Sequence, residues 1–318
     1  MMTAYAGTPL IEARGITKKY DGFTLQNVSL AVEAGQITGF IGQNGAGKST
    51  TIKALLGLIS VDAGDARVLG VSAEELAGAA AEVKERIGVV FDTVSVPPHM
   101  KITEVAKLMA RGYTTWDQAA FEGHLAQFKL DAGKAVKELS RGMGMKLSLA
   151  CALAHDPQVL ILDEATAGLD PMARDEVLGM LREFVAAEGP DGEPVHAILM
   201  SSHITSDLDK IADEVVCIDE GRIVFSCAKD EITDLMGVAR CRAAEVERVL
   251  ASPFAPTELR VLHHDYGVDV LVPDRFEFAR VFPQIPCDRV SIDDYMALML
   301  KGAVLHPRVD AAKGGDAR

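Results

Sequence analysis

The chain has 318 residues, 48% of them apolar and 25% charged, and carries a formal net charge of −14. Such a composition is enough for a large buried core, and its acidity argues against duplex binding, which needs clustered Lys and Arg to neutralise phosphates. No apolar run approaches the roughly 18 residues that suggest a membrane span, and the N-terminus "MMTAYAGTPLIEARG" lacks the basic start and apolar stretch of a secretory signal.

The first third opens with short β-type pieces, "PLIEARG", "ITKKY" and "FTLQNVSLAV", followed by "GQITGFIG". Helical spacing begins at "GKSTTIKALLGLI", with Ile52, Leu55, Leu56 and Ile59 on one face. The apolar run Ile87 to Phe91 reads as a buried strand that stops on Asp92, and Pro97 and Pro98 end regular structure soon after. Asp92 itself is either a turn residue or a carboxylate aimed at something positive. Residues 102 to 153 carry helical patterns, interrupted near Gly112 and at "KLDAGKAV". "QVLILDE" is a core strand, "MARDEVLGMLREFVAAEG" a helix closed by glycine, "VHAILMSSH" another strand, and "DEVVCIDEGRIVFSC" a hairpin around Glu220 and Gly221. Strands alternating with helices imply an α/β fold on a mainly parallel sheet.

Near residue 232 the pattern changes to a small α+β appendage, with a hairpin turning at Asp265 to Gly267, and the tail from Leu305 reads as disordered. The expected domains are therefore 1–232, with a helical subdomain at about 93–153, then 233–304, then a tail at 305–318. The cysteines, Cys151, Cys217, Cys227, Cys241 and Cys287, show no CxxC spacing and read as buried apolar residues of a cytosolic protein. His263 and His264 on the appendage hairpin have no ligand cluster beside them and read as solvent-facing.

The strongest chemical signal is "GQNGAGKST", residues 42–50, which follows a strand and opens a helix. Gly42, Gly45 and Gly47 let the backbone curl so that successive N–H groups, with those around Asn44 and Ala46, face phosphate oxygens. Lys48 is expected on the β- and γ-phosphates, with Ser49 supplying a hydroxyl to Mg²⁺ and Thr50 completing the loop. "VLILDE" then puts Asp163, the expected Mg²⁺ partner, and Glu164, a candidate base for the attacking water, at the end of one strand. "LSRGM" places Ser140 as a helix N-cap with Gly142 beside it.

Together these segments resemble the nucleotide-binding subunits of ATP-binding cassette (ABC) transporters, over residues 10 to about 230. "LSRGM" is similar to the family signature LSGGQ, "AGLD" (167–170) to the D-loop and "MSSH" to the switch segment ending in His203; Tyr20 stands where the family stacks an aromatic on adenine. The resemblance implies a P-loop core with an N-terminal antiparallel β subdomain and a helical signature subdomain. It also implies that two such domains close head to tail on ATP. Lys48, Ser49 and Asp163 then hold ATP and Mg²⁺ in cis, Ser140 and Gly142 reach the γ-phosphate in trans, Glu164 polarises the water and His203 contacts the γ-phosphate, with Asp170 of the D-loop at the nucleotide interface.

Three departures mark this chain: Ala165 for the usual proline, Arg141 and Met143 within the signature, and Asp92 where the family carries a glutamine. The last two resemble ATPase subunits of ABC-2-type and bacitracin-resistance-like exporters. Such a subunit would sit at the inner face of the cell membrane through a separate permease chain, as a homo- or heterodimer and without nucleic acid. Asp92 is then expected to approach Mg²⁺ through a water. The alternatives are a nucleotide-gated regulatory subunit with little hydrolysis and a soluble ABC protein outside transport.

Overall fold

A computed structural model describes residues 8–78, 81–252 and 259–306. The chain divides after Cys227 into two compact units.

The first unit begins with a hairpin, β1 (Ile11–Tyr20) and β2 (Phe23–Val32). The two β pieces expected at "PLIEARG" and "ITKKY" are one strand, continued through an irregularity between Ala13 and Ile16 where Gly15 takes φ +61°. A glycine there admits the left-handed turn without ending the strand. Next come β3 (Ile37–Ile41), α1 (Lys48–Leu55), β4 (Ala63–Val68), β5 (Val71–Ser72), α2 (Ala73–Ala77), α3 (Ala81–Lys84) and β6 (Ile87–Val90). Helix α1 ends with Leu56 as its C-cap, whose N–H still donates to Ile52 O, so of the anticipated face only Ile59 packs on the core from beyond the helix.

The helical region contains α4 (Ile102–Gly112), α5 (Gln118–Gln127) and α6 (Arg141–Leu153), with breaks at the two places the sequence marks. It returns to the sheet through β7 (Val159–Asp163), α7 (Pro171–Ala186), β8 (Ala197–Ser201), α8 (Thr205–Ile211), β9 (Glu214–Asp219) and β10 (Arg222–Ala228). Helix α7 ends on an extended Ala187 before reaching the glycine expected to close it; Gly189 instead serves a turn in which its N–H donates to Glu193 O at 2.9 Å.

Strands β2-β1-β4-β5 form an antiparallel sheet, and β10-β9-β3-β8-β7-β6 form the central one. In the latter, β3 pairs in parallel with β8 and β9, and β7 with β6 and β8. Strands β3, β7 and β8 are buried at every residue, as a parallel sheet covered on both faces requires. One core joins the two sheets: Ile11, Ile16, Leu25 and Val28 pack in the same cluster as Phe40, Ile52, Leu55, Ile161 and Leu199. Burying each such side chain contributes about 1.5–3 kcal/mol, so the scaffold beneath the strand ends is stiff.

The second unit holds a π-helical turn (Glu231–Leu235), β11 (Gly237–Cys241), α9 (Ala243–Leu250), β12 (Leu259–His264), β13 (Gly267–Val272), α10 (Arg275–Val281), β14 (Cys287–Arg289), α11 (Ile292–Lys301) and β15 (Ala303–Leu305). Its sheet runs β14-β11-β13-β12-β15, around a core that includes Val249, Val261, Val270 and Phe278. Leu305 corrects one expectation: it is not tail but the last residue of β15, paired with Leu259 and packed on that core. The remainder of that expected tail, from residue 307, lies outside the described residues. Among the described residues no helix is long and apolar enough to cross a membrane.

Candidate active site

The central sheet's register sets the site. Phe40 on β3 pairs with Ser201 on β8, and Ser201 pairs with Asp163 on β7, so three parallel strands end at one level. The residues after these strands therefore emerge on the same edge, the edge where open α/β sheets bind ligands. From β3 comes the loop 42–47, from β7 comes Glu164, and from β8 come Ser202 and His203.

The loop's shape depends on close approaches that a side chain would block. A Cβ on Gly42 would lie 2.2 Å from Ile218 O, and Gly47, at φ +118°, is the N-cap of α1. Ala46 is buried, whereas Asn44, Gly45 and Ser49 are exposed and Thr50 is half-buried. Lys48 is buried and its Nζ donates to Gly42 O at 2.7 Å and Gln43 O at 3.2 Å, so the ammonium already lies within the loop. From behind, the Gly221 N–H donates to Ala46 O at 2.9 Å, which ties the β9–β10 turn to the loop.

Asp163 is 4% exposed, and Ser201 Oγ donates to its Oδ1 at 2.5 Å. Glu164 stands at φ +58°, in the left-handed region that non-glycine residues seldom adopt. Its Oε1 lies 3.9 Å from Lys48 Nζ, while its Oε2 meets both the ring Nδ1 and the backbone N–H of His203. The structure thus brings Lys48, Asp163, Glu164 and His203 together at one strand-end level.

The other expected site residues lie around this centre. Tyr20 ends β1 opposite Phe23, with 45% of its surface exposed and the Lys18 ammonium 5.9 Å from its ring centroid. Phe23 is close to the loop, since a Cβ on Gly47 would touch its ring at 3.2 Å. Ser140 caps α6, accepting the Met143 N–H at 3.3 Å. Gly142 passes so near the D-loop turn that a Cβ would sit 2.9 Å from Gly168 O, and the stem of Arg141 lies across Gly168. Asp170 is engaged as the N-cap of α7; the Ala173 N–H it accepts is the main reason its carboxyl is held below the ordinary range. Asp92 is exposed just past β6. The β6–β7 pairing ends with Val90 opposite Leu162, so Asp92 lies two residues beyond the paired strand.

Sequence reasoning missed two parts of this arrangement. One is Ser201, whose signal was a hydroxyl at the end of an otherwise apolar buried strand next to the carboxylate strand. The other is Gly221, read only as a hairpin turn. The oxygens of Asp163 and Ser49 suit a small hard cation such as Mg²⁺, which is usually held by one or two carboxylates together with substrate phosphates.

A sequence profile for a family described as ABC transporter matches residues 25–167. The Nod factor export ATP-binding protein I of Burkholderia orbicola (strain AU 1054) is 36% identical over 218 residues, 67% of this chain and 68% of that protein. The daunorubicin/doxorubicin resistance ATP-binding protein DrrA of Streptomyces peucetius is 32% identical over 273 residues, 81% of this chain and 78% of its own length. A solved structure of an ATP-binding subunit of an ABC transporter matches with a TM-score of 0.62 at 28% identity, over 70% of this chain and 91% of that one.

Proposed function

The chain belongs to the ABC transporter family of ATP-binding subunits, and on that premise we propose that it is the ATP-hydrolysing motor of an exporter whose membrane-spanning part is a separate chain. The observation that carries the reading is the convergence of Lys48, Asp163, Glu164 and His203 at the ends of three parallel strands. Export is supported by the two relatives, one named for Nod factor export and the other for drug resistance.

The chain's own groups divide the chemistry. Backbone N–H groups of 42–50 and the start of α1 bind the phosphates, and Lys48 exchanges the carbonyls of Gly42 and Gln43 for phosphate oxygens. Mg²⁺, when bound, would neutralise charge on the phosphates, with Ser49 and Asp163 as its protein ligands. Glu164 accepts the proton of the attacking water, and its fixed left-handed backbone aims the carboxylate. Because Oε2 of Glu164 already bonds His203, the histidine orients that base and is in place to follow the γ-phosphate. Tyr20 offers an exposed ring for adenine.

Ser140 and Gly142, with Asp170, complete the site of a second copy or a homologous subunit. The permease would meet the helical region, where a cleft of about 200 Å³ next to Asp92 is lined by Phe91, Val94, Met109 and Tyr113 together with the polar Ser95 and Ser148. The test is the size of Glu164→Gln in solution with and without ATP. A dimer that forms only with ATP supports trans closure; a monomer under every nucleotide condition removes it.

A further inference from the structure

We infer that Ser201 is a positioning residue that sets the metal-binding carboxylate, Asp163, and the base, Glu164, through one hydroxyl; the inference rests on the ATPase reading above. Strand β8 reads Ala-Ile-Leu-Met-Ser and is buried throughout, and Ser201 is 0% exposed. A hydroxyl there costs about 1–3 kcal/mol unless it is hydrogen-bonded, so its partners are informative. It carries one proton and two lone pairs. The proton goes to Asp163 Oδ1 at 2.5 Å, and a lone pair accepts the Glu164 N–H at 3.3 Å. The Ser201 carbonyl also accepts that N–H, at 3.2 Å.

These bonds have two consequences. Asp163 is held about its terminal torsion, with Oδ1 engaged by the hydroxyl, which leaves Oδ2 as the oxygen not engaged by Ser201. Glu164 is held at φ +58°, a conformation that costs an ordinary residue roughly 1–2 kcal/mol and persists only where the surroundings fix it. Outer partners of this kind orient ligating carboxylates and tune metal affinity. An apolar side chain would fill the same space but leave Asp163 Oδ1 without this donor, and Glu164 with only the backbone carbonyl of residue 201 to accept its N–H.

The test compares wild type, Ser201→Ala and Ser201→Thr by two equilibrium measurements. One is Mn²⁺ binding to the ATP complex, read by electron paramagnetic resonance; the other is binding of a fluorescent ATP analogue in EDTA. Ser201→Ala should weaken Mn²⁺ by about 10-fold or more while metal-free nucleotide binding stays unchanged, and Ser201→Thr, which keeps the hydroxyl, should restore Mn²⁺ affinity. The inference is overturned if Ser201→Ala binds Mn²⁺ within about twofold of wild type, or if metal and metal-free nucleotide binding fall together, as a packing role would require. If wild type binds no Mn²⁺ with ATP, the ATPase reading fails first and this inference goes with it.

Discussion

Glu164 and His203 are joined through a single carboxylate oxygen: Glu164 Oε2 accepts the His203 backbone N–H at 3.3 Å and also meets the His203 ring at Nδ1. The other oxygen of Glu164 lies 3.9 Å from Lys48 Nζ. Three groups assigned to the terminal phosphate and its attacking water thus face one another, and in the proposed mechanism Lys48 turns to phosphate oxygens while the His203 contact keeps Glu164 aimed at the water.

Lys48→Ala removes the cation from that exchange. A charged hydrogen bond contributes about 1.5–3 kcal/mol, so ATP affinity should fall by roughly 10-fold to 100-fold. Titration with a fluorescent ATP analogue measures it; unchanged affinity would mean that the loop amides alone hold the phosphates.

Asp92→Asn keeps the shape of the side chain and removes its charge. The variant should show an altered Mg²⁺ requirement, with ATP binding in the absence of metal unchanged, because Asp92 follows β6 and is not part of the loop 42–50 that would hold the phosphates. A Mg²⁺ titration of turnover decides it. An identical profile returns Asp92 to the role of a turn residue after β6.

Gly221→Ala tests the brace behind the phosphate loop. Gly221 takes φ +78°, its N–H donates to Ala46 O, its carbonyl accepts the Gln26 N–H at 2.8 Å, and an added Cβ would meet Thr24 O at 2.0 Å. The backbone strain alone is about 1–3 kcal/mol, and the steric overlap adds to it. Thermal unfolding should show a lowered midpoint, and nucleotide binding should weaken in the protein that remains folded. A midpoint equal to wild type would show that this turn yields freely.

His155 gives the pH dependence. It is 1% exposed, stacked on Tyr113 at 4.1 Å with its Nδ1 bonded to Glu85 O, and burial lowers its pKa below the ordinary 6.5. The unfolded chain therefore binds a proton before the folded one does. The stability from neutral His155 is present above pH 6.5 and is lost as pH falls through the folded value. Urea unfolding of wild type should lose stability from about pH 7.5 down to about pH 5.5, and His155→Gln should lose less over that interval. Equal slopes for the two proteins would contradict this.

Much of the first unit was legible because its signals are local. A phosphate loop must follow a strand and open a helix, and the segments "VLILDE" and "MSSH" announce buried strands ending in polar groups. The two interruptions of the helical region fell where glycine and polar runs placed them. Less legible were features decided across the sheet. Gly15 reads as a strand end in the sequence and is an irregularity inside β1, because the partner strands continue on both sides of it. Ser201 meets Asp163, 38 residues away, and Gly221 meets Ala46, 175 residues away, and no short window contains those pairs. The polar residues after Leu305 suggest a tail, whereas pairing with Leu259 decides its state.

The most direct test of the central claim is Mg²⁺-dependent ATP hydrolysis by wild type and Glu164→Gln, measured as phosphate released. Wild type should turn over ATP to ADP and phosphate, and Glu164→Gln should bind ATP equally well but hydrolyse it about 10²–10⁴-fold more slowly, the usual contribution of a positioned base. If wild type releases phosphate no faster than Glu164→Gln, the strand-end cluster is not a hydrolytic centre and the motor account is wrong.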